Sequence, residues 1–96
     1  MSKAEELIKD YIKSIDDGYL FRSTMAQRAY RKWASTEILE RIKGNPYETP
    51  LKIAEDFWEE MCGGCSLSMD SDALFIFSIA KRVAEDIIDI LYIENL

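Results

Sequence analysis

Histidine does not occur in this sequence. That absence removes the commonest general base, the nucleophile–histidine pairs of hydrolases and the imidazole ligands of zinc and di-metal bundle sites. Neither a glycine-rich phosphate loop nor a Gly-x-Ser-x-Gly elbow occurs, and with no catalytic signature left, enzymatic activity and bound cofactors are not expected. The longest apolar run falls well short of the ~20 residues of a membrane span. The opening "MSKAEELIKDYIKS" carries charges every few residues instead of the apolar h-region of a signal peptide. A soluble, cytoplasmic protein is therefore expected, in which the two cysteines are reduced. No stretch shows strand alternation bounded by turns, no repeat occurs, and no linker divides the chain, so residues 1–96 read as one domain.

What the sequence does contain is apolar residue at 48%, enough for a core without disulfides, and charge at 31% with the signs interspersed. The net charge of −6 argues against nucleic acid as a partner, because binding a polyanion draws on clustered Lys and Arg.

Helical periodicity dominates. Ser2 and Glu5 make a capping-box pattern ahead of Leu7, Ile8, Tyr11, Ile12 and Ile15, and Asp17-Gly18 closes this first helix. Tyr19, Leu20 and Phe21 read as an apolar connector. Ser23 or Thr24 can then cap a second helix reaching Lys43. Its apolar positions are uneven: Met25, Ala26, Ala29, Tyr30, Trp33 and Ala34 share one face, whereas Ile38, Leu39 and Ile42 fall on another. A bend near Ser35-Thr36 is expected to reconcile them.

Thr49-Pro50 signals the start of a third helix, with Leu51, Ile53, Ala54, Phe57, Trp58 and Met61 as its stripe and Gly63-Gly64 as its expected stop. After the loop "GGCSLSMD", Asp70 or Ser71 caps a final helix to Ile93. There Ala73, Ile76, Phe77, Ala80, Val83, Ala84, Ile87, Ile90 and Leu91 form one face. Leu74, Phe75, Ile79 and Ile88 lie off that face, which predicts a second apolar contact and makes them interface candidates of a homodimer. The expected fold is all-α, a compact bundle of four to five helices with mostly antiparallel neighbours.

Three constellations invite a sharper function. Cys62-Gly63-Gly64-Cys65 has CxxC spacing, but at a helix C-terminus the dipole opposes a thiolate, and Glu59, Glu60, Asp70 and Asp72 do the same. Two cysteines supply half a zinc shell, so a metal would require two chains sharing Cys62 and Cys65. A structural role is the better reading, with a zinc-bridged or redox module as an alternative. The second helix holds Arg28, Arg31 and Lys32 on one side, a basic patch for an acidic or phosphate-bearing partner. Complementarity with the acidic first and third helices explains them better, although a nucleic-acid-associated regulator is a second alternative. Glu55, Asp56, Glu59 and Glu60 have the spacing of a solvated helix face, and Asp70-x-Asp72 lacks the glycine and distal glutamate of a calcium loop. The favoured expectation is a helical protein–protein interaction or regulatory module.

Overall fold

Helices form where a capping residue precedes an apolar stripe. In the computed structural model these are α1 (Lys3–Asp16), α2 (Met25–Gly44), α3 (Pro50–Leu67) and α4 (Ser71–Ile93). The structure describes residues 2–17, 24–67 and 70–96, and for 64–67 the backbone alone. The Tyr19–Phe21 connector, Gly18, Ser23 and the Cys65 side chain lie outside what is described. Among the described residues the fold is all-helical, without a strand. Its radius of gyration of 13.1 Å matches the roughly 13 Å of a compact 100-residue domain.

The caps are in place. The Ser2 hydroxyl accepts from the Glu5 amide, and Thr24 and Gln27 form a reciprocal capping box. The Thr49 hydroxyl accepts from the Lys52 amide, with Pro50 opening α3. Asp70 caps α4 by accepting from the Asp72 amide at 2.9 Å. At the far end of α4, Asn95 adopts a left-handed φ of 60°. The Leu96 amide donates back to the Leu91 carbonyl and that of Asn95 to Tyr92, a Schellman closure that folds Leu96 onto the core.

Helix α4 packs against all three other helices. Its Ala80, Val83, Ala84, Ile87 and Leu91 meet Ile8 and Ile15 of α1, Ile38 of α2 and Phe57 of α3 in one sealed core. The small side chains of Ala80 and Ala84, one turn apart, permit close helix approach. Two side-chain pairs tie α1 to α4 in opposite chain order. Lys3 Nζ lies 2.7 Å from Glu94, and the buried Tyr11 hydroxyl donates to Asp86 at 2.8 Å. Burial, reinforced by that carboxylate, pushes the Tyr11 phenol well above its ordinary range.

Between α2 and α3 the junction is Arg41. Its guanidinium donates to both Glu60 oxygens, at 2.8 and 3.2 Å, reaches Glu37 at 3.3 Å, and lies 4.9 Å from the Phe57 ring centre. The hydrogen bonds to Glu60 raise Arg41, and those from Arg41 lower Glu60. Both groups remain partly exposed, so the pair orients the helices more than it stabilises them.

Helix α2 is helical throughout, as its sequence predicts, and runs without interruption through Ser35-Thr36. Ser35 is buried there because its hydroxyl donates to the Arg31 carbonyl at 2.8 Å, satisfying itself inside the helix without breaking it. One expectation needs correction: helix α3 does not stop at Gly63-Gly64 but continues to Leu67. Glycine permits a left-handed cap without enforcing one, and Gly63 keeps helical backbone.

That difference is measurable. A Cβ at Gly63 would meet nothing within 4 Å. Gly63→Ala should therefore stabilise the protein by about 0.5–1 kcal/mol, the ordinary helix-interior difference between these residues. A terminating glycine in the left-handed region would give the opposite sign in urea melts.

Candidate interaction surface

A continuous α2 has a consequence for its apolar residues. Ile38, Leu39 and Ile42 of the C-terminal half face the core together with Ala34 and Ser35. The stripe of the N-terminal half lies on a different side of the same helix, and most of it stays outside that core. Ala26, Ala29 and Trp33 are exposed as a result, Trp33 by 45%, and Met25 is 86% exposed.

The N-terminal half of α4 lies beside it. Tyr30 meets Phe75 edge-on, with ring centres 6.0 Å apart. Ala29, Tyr30, Trp33 and Ile76 line an apolar groove of about 460 Å³. Phe75, 41% exposed, projects next to it through its contact with Tyr30, and Leu74 is 39% exposed on another side of α4. Large aromatic and aliphatic side chains converge here in a manner typical of interface centres.

The four α4 interface candidates separate. Phe75 belongs to this face, and Leu74 is exposed on another side of α4. Ile79 is only 9% exposed, and Ile88 packs against the core. The sequence stripe treats α4 as having one covered side, but three helices surround it, and residues off the stripe are covered by this chain itself.

The basic residues of α2 are not a uniformly solvent-facing patch. Lys32 Nζ sits 2.7 Å from Asp16 of α1, Arg31 is half-buried and engaged, and Arg28 is half-buried with its Nε sealed from solvent and without an acceptor. Together with Arg41–Glu60, the Lys32–Asp16 pair places α2 cations against α1 and α3 carboxylates.

Cys62 is half-buried near the end of α3 and shares a helix with Gly63 instead of opening a loop. Among the described residues no group of three or more metal-ligating side chains converges. The α3 carboxylates point outward, Asp56 toward Lys52 at 2.8 Å and Glu60 toward Arg41. No described helix is long and apolar enough to cross a membrane.

Trp33, Met25, Ala29, Tyr30 and Ile76 were not singled out as interface residues by periodicity. The signal was the change of apolar face within α2, which in the sequence reads as a bend that would bring both halves to one core. No protein-family model matches the chain, and comparison with curated proteins and with solved structures likewise finds no match.

Proposed function

We propose that this chain is a small cytoplasmic protein–protein interaction or regulatory module without catalytic activity of its own, working as a homodimer through the N-terminal halves of α2 and α4. The observation that carries this reading is the exposed apolar face at the N-terminal half of α2, where Met25, Ala29 and Trp33 stay exposed beside Tyr30 and its α4 partner Phe75. Burying such a face against a partner supplies the driving force, and the charges around it set the choice of partner.

Light scattering tests it. The parent protein should show twice the chain mass at micromolar concentration, and Phe75→Asp should show the chain mass. Met25→Asp, at a side chain so exposed that folding cannot depend on it, should weaken the dimer in the same direction. A parent that stays monomeric at high concentration, or a dimer indifferent to both substitutions, would remove this face as the self-association surface.

A further inference from the structure

The exposed residues in the first half of α2 repeat symmetrically. Met25, Ala29 and Trp33 stand four residues apart and share one side of the helix, opposite the side that buries Ala34, Ile38 and Ile42. Met25 is 86% exposed, Trp33 45%, and Ala29 between them is exposed as well. The order is large, small, large, with Ala29 at its centre.

This side of α2 carries no charge from Met25 to Trp33. Arg28 and Lys32 fall toward α1, where Lys32 Nζ meets Asp16 at 2.7 Å. In a chain with a net charge of −6, two copies repel wherever acidic surfaces meet, yet residues 18–36 contain neither Asp nor Glu. Like-charged copies can therefore approach here without that repulsion. Met25, Trp33 and the neighbouring Phe75 leave roughly 350 Å² of apolar surface open, to which Ala26 and Ala29 add. A stable interface takes about 800 Å² from each partner, a little over half of it apolar, or roughly 450 Å². The face supplies most of that requirement.

A two-fold interface must be self-complementary, because residue i of one copy meets residue j of the other and j meets i. Two antiparallel copies of α2 about a two-fold axis at Ala29 satisfy this in shape. The alanines face each other at the axis and let the helices approach, and Met25 of each copy lies level with Trp33 of the other, where thioether and ring attract. A partner of different sequence has no need of a pattern symmetric about one residue. We infer that the occupant of the α2/α4 face is a second copy of this chain, docked through α2 in antiparallel orientation about Ala29, with Met25 of each copy against Trp33 of the other. This rests on the reading of that face as the self-association surface and specifies its geometry.

The test is disulfide cross-linking of new-cysteine variants under mild oxidation, with the linked positions mapped by mass spectrometry so that Cys62 and Cys65 are told apart from the added thiol. Ala29→Cys places the two added thiols at the axis, within disulfide reach, and should convert at least about half of the chains into a dimer linked through position 29. Thr36 is exposed on the same helix side but seven residues from the axis. Its two copies stand about 20 Å apart in this arrangement, so Thr36→Cys should not link through position 36. Ala29→Lys sets two like charges against each other at the axis and should weaken dimerisation at least about tenfold, with parental helix content by circular dichroism.

Equal linking through positions 29 and 36 marks a parallel pair and overturns the antiparallel arrangement. A parent dimer that Phe75→Asp dissociates, but in which Ala29→Cys does not link and Ala29→Lys has no effect, also overturns it and leaves the apolar face standing. A monomeric parent, or a dimer unaffected by Phe75→Asp, overturns both.

Discussion

Replacing Phe57 with alanine should destabilise the protein by about 3–5 kcal/mol, the range for truncating a sealed aromatic in a core. Phe57 is fully buried at the middle of α3 and belongs to the cluster shared by all four helices. Its ring is tilted against Trp33 of α2, with centres 6.4 Å apart, and carries the Arg41 guanidinium. Truncation thus opens a cavity and also removes the platform under Arg41, whose bidentate hold on Glu60 joins α2 to α3. Domains of this size have total stabilities of about 5–15 kcal/mol, so the loss is a large share of the whole. Urea unfolding should show a lower midpoint at unchanged slope. A loss below about 1 kcal/mol would contradict the placement of α3 on α2.

Truncation of Ile87 to alanine should cost about 2–5 kcal/mol, and truncation of Phe77 clearly less than its size suggests. Both belong to one helical stripe in α4. The structure separates them: Ile87 is sealed in the core, whereas Phe77 is half-buried at the end of the bundle where α2 and α4 leave their apolar face open. The cost of a deletion depends on how completely the surroundings enclose the lost atoms, and Phe77 retains solvent on one side. Equal losses in the two variants would mean that the upper end of α4 is covered within the monomer. The comparison therefore bears on the interaction surface as well as on the core.

Much of this protein is legible along the chain because caps and stripes are local. Ser2, Thr24, Thr49 and Asp70 mark the starts of all four helices, and each oxygen accepts from an amide of its own first turn. The core positions Ile8, Ile15, Phe57, Val83, Ile87 and Leu91 follow from a 3.6-residue period alone. Helix interruptions are harder to read. Ser35-Thr36 and Gly63-Gly64 both have the composition of a break, and both lie inside continuous helices. A hydroxyl that bonds its own helix and a glycine that stays right-handed leave no mark in the sequence to distinguish them from a cap.

Sites depend on which helices become neighbours, and that is a tertiary property. Lys32 and Asp16 are paired across two helices, and nothing in their spacing announces it. Ile79 and Ile88 read as surplus apolar residues until three helices enclose α4, whereas Phe75 keeps its exposure because α2 presents Tyr30 there without closing over it. The sequence by itself determined an all-helical chain of four to five helices, the neighbourhood of their starts and most of the core, since these rest on interactions within one or two turns. Only the tertiary structure decided that the apolar residues in the first half of α2 stay largely exposed and that this half lies beside the N-terminal end of α4. Those facts depend on the rotation of one rigid helix against another, and side-chain periodicity within a single helix does not carry that rotation.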